Sequence, residues 1–231
     1  LQKWWNSSVC FKKYDLDMDE DTSIIDNRTR NERIKNFIIN NKKKLISLII
    51  AFIILIISFY SYQIYLDKKR EDISNRYNSA IIEYEAANKL KITPILKDII
   101  NAKDATYSPL ALYFIIDNNL INDKNEINSF FDILIDKTSL DIEIKNLIIY
   151  KKALFNADQI NEIELLSILN PLLNSDSVWK SHALYLVAEF FYSKGEKQKS
   201  KDFFEKIVST ENSNTDILTS AKRRLNRDLS D

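Results

Sequence analysis

Hydrophobic and polar residues along this chain fall into three regimes. Residues 1–44 are mixed and strongly charged, Leu45 to Leu66 (LISLIIAFIILIISFYSYQIYL) carries no charge, and residues 67–231 repeat apolar positions at helical intervals. The uncharged run lies between Lys42-Lys43-Lys44 and Asp67-Lys68-Lys69-Arg70. At a rise of about 1.5 Å per residue the run reaches roughly 33 Å, which matches a hydrocarbon core of about 30 Å. The pattern predicts one membrane-crossing helix. A buried core helix would show a polar stripe, whereas the polar positions here are serines, tyrosines and Gln63, most of them toward the carboxyl end. Tyr60, Tyr62 and Tyr65 cluster there, as an interfacial belt would. A cleavable signal peptide has a shorter apolar region and a small-x-small site, and Ser58-Phe59-Tyr60-Ser61 lacks that spacing. The segment therefore reads as an uncleaved anchor.

Beyond the span, the periodicity predicts helices over about 67–90, 92–102, 108–120, 124–136, 141–156, 160–173, 177–194, 197–209 and 215–229, paired antiparallel across short polar joints. Asp123-Lys124-Asn125, Asn156-Ala157-Asp158 and Lys194-Gly195-Glu196 occupy tight joints, where Asn, Asp or Gly can take the left-handed turn that ends a helix.

The helical segments repeat. Ala111-Leu112-Tyr113 returns as Ala183-Leu184-Tyr185, Phe130-Phe131 as Phe203-Phe204, and Lys145 to Phe155 falls midway, a period near 36. Helix pairs with that period suggest a tetratricopeptide-like solenoid, whose units bury their faces only against neighbours. In the last unit, Gly195 at the turn places small Ala188 and Ser200 at the close crossing of two helices, with Phe191 and Phe204 filling the space beside them. In the first, Ala111 and Phe131 hold the corresponding packing positions, and Asp117-Asn118-Asn119 stands where a strict repeat would be small and aromatic. The fold class expected is all-α: a single transmembrane helix, 45–66, followed by a tetratricopeptide-like solenoid of helical hairpins, 67–231.

Composition narrows the classes further. Gly195 is the only glycine and Pro94, Pro109 and Pro171 are the only prolines, so tight β-hairpins and glycine-rich phosphate loops are excluded. The overall charge is zero, and residues 67–231 hold 23 Lys/Arg against 26 Asp/Glu, about −3. That balance leaves no basic footprint for nucleic acid. Cys10 is the only cysteine, so no internal disulfide forms.

Before the span, residues 1–17 with Trp4-Trp5 and Cys10 fit neither a targeting peptide nor a helix, and Met18, the only methionine, is the expected native start. An acidic stretch, Met18 to Asp26, then gives way to a basic helix-forming one, Asn27 to Lys44. Arg30, Arg33, Lys35, Lys42, Lys43 and Lys44 precede the span, against Lys68, Lys69, Arg70 and Arg76 after it. The positive-inside bias predicts a cytoplasmic tail, 1–44, and in a bacterium a periplasmic domain; the inverted topology would make it a cytoplasmic adaptor.

Candidate chemistry is sparse. His182 is the only histidine, which rules out a multi-histidine metal site and leaves it a structural or solvent-facing role. Trp179 reads as packing, Asp141/Glu143/Lys145 and Glu162/Glu164 as solvated faces, and Lys222, Arg223, Arg224 and Arg227 as charges complementing a helix dipole. No cofactor, metal or catalytic group is assigned, and a membrane-bound hydrolase or transferase lacks its polar constellation. The span holds no charged residue of the kind an ion pathway uses.

The order of segments, with Asp26 to Lys35 leading into the anchor, Tyr107-Ser108-Pro109-Leu110-Ala111, Asn170-Pro171-Leu172-Leu173, Trp179-Lys180-Ser181-His182-Ala183, Lys194-Gly195-Glu196 and Ala221-Lys222-Arg223-Arg224-Leu225, resembles the bacterial ancillary SecYEG translocon subunit family, often called YfgM-like. The resemblance covers Met18 to the carboxyl end. It implies an inner-membrane protein whose periplasmic domain works with Sec translocon subunits, periplasmic chaperones and exported proteins. A scaffold for envelope assembly or cell division would use the same domain with other partners, since repeats do not name ligands.

Overall fold

The computed structural model describes residues 17–84 and 89–230, with side chains from Thr29 onward. The expectations for residues 1–16, including Trp4-Trp5 and Cys10, lie outside the described residues. Among those described, every regular element is a helix: α1 (Asp17–Ile82), α2 (Lys89–Asn101), α3 (Tyr107–Asp117), α4 (Lys124–Lys137), α5 (Ile142–Asn156), α6 (Glu162–Leu173), α7 (Lys180–Ser193), α8 (Lys197–Ser209) and α9 (Thr215–Asp228). The chain divides into two compact units, Leu1–Leu66 and Asp67–Asp231.

In the first unit, the apolar part of α1 has a mean hydropathy of 2.5, and none of it is buried inside the protein. A core helix of a soluble domain would be covered by its own fold. Instead Leu48, Phe52, Leu55, Phe59 and Tyr65 stand exposed together along the helix, a far larger apolar surface than water tolerates. This is the one segment among the described residues long and apolar enough to cross a membrane, and it is compatible with a single-pass anchor.

The second unit is built from consecutive helices packed in order. Its core is three overlapping clusters in chain order. Ile73 and Ala80 of α1 join Leu96, Leu112 and Phe131; Ile149, Leu165 and Val187 form the middle; Leu184, Phe204 and Ala221 close the end. Ile135 bridges the first two clusters, and Leu173 and Phe203 the last two. From α2 to α9 each helix packs on the next and, one step further, α2 packs on α4, α5 on α7 and α7 on α9. α3, α5, α7 and α9 begin at residues 107, 142, 180 and 215, intervals of 35, 38 and 35.

Three expectations are corrected. The helix expected over 67–90 ends at Ile82 and the next begins at Lys89; just past that end, Tyr84 packs edge-on against Phe114, with ring centroids 5.1 Å apart. α3 stops at Asp117 rather than 120. There Asn119 takes a left-handed φ of 49°, its N–H donating to Ile116 and that of Leu120 to Ile115, and the pair of bonds closes the helix in a Schellman motif. Asp117-Asn118-Asn119 is thus a helix end rather than a flawed helix interior. The left-handed residues of the joints are Lys103, Asn119, Gly195 and Asn212. Of the three joints expected to supply one, only that of Gly195 does so; Asp123 instead caps α4 by accepting from the Asn125 N–H, and Asn156 ends α5 in a side-chain pair described below.

Candidate functional site

The α7–α8 hairpin holds five of the residues singled out from sequence. Gly195 has a φ of 79°, its N–H donates to Tyr192, and the Glu196 N–H reaches Phe191 at 2.9 Å, a second Schellman closure. Ala188 and Ser200 are fully buried. Ser200 Oγ finds no hydrogen-bond partner. The aromatic residues part company. Phe191 stacks on Phe203 at 5.5 Å in the middle cluster, and Phe204 meets Tyr185 edge-on at 5.4 Å in the last one with Ala188. Ala111 and Phe131 lie together in the first cluster.

Between α4, α5 and α6 runs an open groove of about 420 Å³. At its base Asn128 and Asn156 exchange amide hydrogen bonds at 2.9 and 2.8 Å, and Asn156 also donates to the Lys152 carbonyl at 2.8 Å. Lys152 pairs with Asp132 at 2.5 Å, and the far wall carries strongly exposed Ile163. No local pattern announces this site, because the two asparagines lie 28 residues apart.

The acidic groups expected to be solvated faces are partly corrected, since several hold helix ends. Asp141 accepts from the Glu143 N–H, Glu143 accepts from Ser177 Oγ at 2.7 Å, and Asn161 with Glu164 forms a reciprocal capping box. Asn161-x-x-Glu164 is a spacing that could have been recognised. Glu162 joins Glu196 in holding Lys199, at 2.9 and 2.8 Å, tying α6 to α8.

His182 sits among rings, 5.0 Å from Trp179 and 5.8 Å from Tyr150 between centroids, while Tyr150 and Trp179 stack at 6.0 Å. Burial lowers its pKa from the ordinary 6.5, the Val178 backbone opposing more weakly, and Nδ1 is buried without a well-aligned partner. Burial likewise pushes the Tyr113 hydroxyl up to about 12.

The basic end helix is also more specific than a dipole complement. Arg224 reaches back to α7, donating from Nε to Glu189 Oε1 at 2.7 Å and from Nη2 to Oε2 of the same carboxylate. It holds Asp228 at 2.6 Å and lies 4.5 Å over the Tyr192 ring. Hydrogen bonds from Arg227 and Arg224 hold the Asp228 carboxyl far below the usual carboxylate range, and those to Glu189 and Asp228 raise the Arg224 pKa. Lys222 and Arg223 stay exposed.

Geometrically the domain offers ion-paired helix faces and one amide-floored groove. No group of three or more His, Cys, Asp or Glu side chains gathers as metal ligands among the described residues. Comparison with family models, with curated proteins and with solved structures finds no match to this chain.

Proposed function

We propose that this chain is a membrane-anchored interaction protein without chemistry of its own, whose helix pairs form a tetratricopeptide-like solenoid that meets protein partners beside the membrane. The observation that carries the reading is the coexistence of a fully uncovered apolar helix with a helical array whose odd-numbered helices, from α3 to α9, recur at a nearly constant interval. Packing confined to neighbouring and next-but-one helices supports the solenoid, because each unit then shields only the next. The mechanism is tethering: a domain held at the membrane meets partners there at an effective concentration up to the millimolar range, so weak contacts suffice. The groove lined by the Asn128–Asn156 pair offers strongly exposed Ile163 as an apolar contact for a partner.

The order of segments supports a place as an ancillary Sec translocon subunit in a bacterial inner membrane, the domain periplasmic and in contact with chaperones or exported chains. Crosslinking from the α4–α6 groove in cells, followed by purification in mild detergent, tests it. Recovery of translocon subunits is the expected result; crosslinks confined to division or envelope-assembly proteins would overturn the Sec assignment. A reporter fused to the carboxyl end, active only outside the cytoplasm, tests the topology.

A further inference from the structure

We propose that residues 30–44 of α1 form an interfacial binding site for anionic phospholipid headgroups. The inference rests on the membrane reading of Leu45–Leu66 and goes beyond it, because an anchor alone needs no such segment. Six of these residues are basic, Arg30, Arg33, Lys35, Lys42, Lys43 and Lys44, and one is acidic, Glu32. All of Arg30 to Asn40 is exposed along a helix already formed, and Phe37 is 60% exposed beside Ile34 and Ile38 at 51% and 50%.

The angular order of these side chains matters more than their number. At about 100° per residue, Ile34, Phe37 and Ile38 share one stripe that runs on into Leu45, with Arg30 at its amino end. Arg33 and Lys44 fall about 80–100° to one side of Ile34, Lys35 and Lys42 about as far to the other, and Glu32 and Lys43 lie on the back. An apolar strip edged on both sides by long cationic side chains is the arrangement of a helix lying at the acyl boundary, with its ammonium and guanidinium groups reaching up to phosphates. Asn41, at the centre of the strip, has its amide donating to the Phe37 carbonyl at 3.0 Å and so enters this layer with one of its N–H groups already bonded.

Bilayer dimensions point the same way. A helix of roughly 33 Å fits a core of about 30 Å at a tilt of about 25°. Untilted, Phe37 would stand about 12 Å beyond Leu45, past a headgroup layer of about 5–8 Å. Tilted by that angle toward the Ile34–Phe37–Ile38 face, the strip drops by about 4 Å, so that Phe37 and Ile38 reach the headgroup layer about 8 Å beyond Leu45 and both basic edges meet the phosphates. Each basic residue near an anionic surface is drawn toward it, so lipid charge decides whether the tilt toward this face is held.

The full chain carries the test. With Cys10→Ser removing the only cysteine, Phe37→Cys is labelled with an environment-sensitive fluorophore and reconstituted into nanodiscs of phosphatidylcholine, or of an equal mixture with phosphatidylglycerol. The expected result is a fall of at least about threefold in acrylamide quenching in the anionic discs, reversed by high salt and absent in an Arg30→Gln/Arg33→Gln/Lys35→Gln variant that keeps Lys42–Lys44. Equal quenching in both lipids, whether strong or weak, overturns the proposal, as does a fall that the triple variant retains. The same label at Ile54→Cys separates the two readings. If position 54 is shielded in both lipids, the span stands whatever happens at position 37, and if acrylamide reaches it, the anchor itself fails.

Discussion

Arg224 grips Glu189 across 35 residues of sequence, donating to both carboxylate oxygens, and so ties α9 to α7 one repeat interval away. Two parallel bonds need the planar fork of guanidinium, which an ammonium lacks. The side chains are 21% and 28% exposed, so solvent screens part of the attraction. Arg224→Ala is expected to destabilise the domain by about 1–2 kcal/mol, lowering Tm by about 3–6 °C. Arg224→Lys should recover less than half of the loss. Thermal melts of the detergent-solubilised chain with Trp4 and Trp5 replaced by phenylalanine, followed by Trp179 fluorescence, check this; full recovery by lysine would contradict the bidentate account.

Gly195 provides a cleaner case, because conformation and space can be separated. A Cβ built there meets nothing within 4 Å, so the cost of substitution is the left-handed backbone alone. Gly195→Ala should cost about 1–2 kcal/mol and Gly195→Asn less, since asparagine visits that region more readily. Asn119, left-handed in the matching position of α3, makes the reverse test: Asn119→Gly should be neutral or slightly stabilising. Equal losses for the alanine and asparagine variants at 195, read from chemical denaturation, would show that some contact, rather than φ, sets the cost.

These joints also mark what the sequence can and cannot disclose. Helices are legible because Leu, Ile and Phe recur at helical spacing with few glycines and prolines to interrupt them, and the charge-free run needs no tertiary context to be recognised. The end of α1 is not legible: Glu83 and Tyr84 suit a helix, and the ring that Tyr84 meets there, Phe114, lies far along the chain. The left-handed turns escape for a related reason. Asp and Asn serve equally as amino-terminal caps and carboxyl-terminal turns, so Asp123 and Asn119 look alike until the direction of the neighbouring helix is known. The groove and the Glu189–Arg224 pair are absent from any local pattern, since their members lie 28 and 35 residues apart. Sequence supplies faces, and tertiary packing decides which faces meet.

Ser200 should prove better as alanine. Its Oγ is buried without a partner at the α7–α8 crossing, so the hydroxyl has lost its water and gained nothing. Removing it is expected to be neutral or to stabilise by up to about 1 kcal/mol. Ser200→Val puts two methyl groups where one hydroxyl stood at a fully buried position and should cost about 1–3 kcal/mol. Urea denaturation of both variants reads this directly. A loss above about 1 kcal/mol for Ser200→Ala would mean that the hydroxyl is hydrogen-bonded in solution.

Inserting a charge tests the apolar helix on its own terms. Ile56 lies near the middle of Leu45–Leu66, where arginine costs about 2.5–3.5 kcal/mol on insertion. Ile56→Arg is expected to move a substantial share of the chain out of the carbonate-resistant membrane fraction, whereas Ile56→Leu leaves it there. Unchanged fractionation of the arginine variant would argue that something other than this helix holds the chain at the membrane.

His182 gives the domain a pH dependence of definite sign. Burial against Trp179 and Tyr150 lowers its folded pKa below the ordinary 6.5, so the folded state prefers the neutral ring. The unfolded chain then binds a proton more readily than the folded one, and stability falls as acid is added. The contribution is fully present above the unfolded value near 6.5 and is lost as pH drops through the folded value. Asp228, held far below the usual carboxylate range, does not titrate in that window. Denaturation midpoints measured between pH 7.5 and 5 should therefore decline for the native chain, and the decline should be smaller for His182→Gln, which keeps a polar side chain of similar size without a titrating group. Parallel curves for the two proteins would mean that the ring stays exposed enough to be protonated equally well in both states.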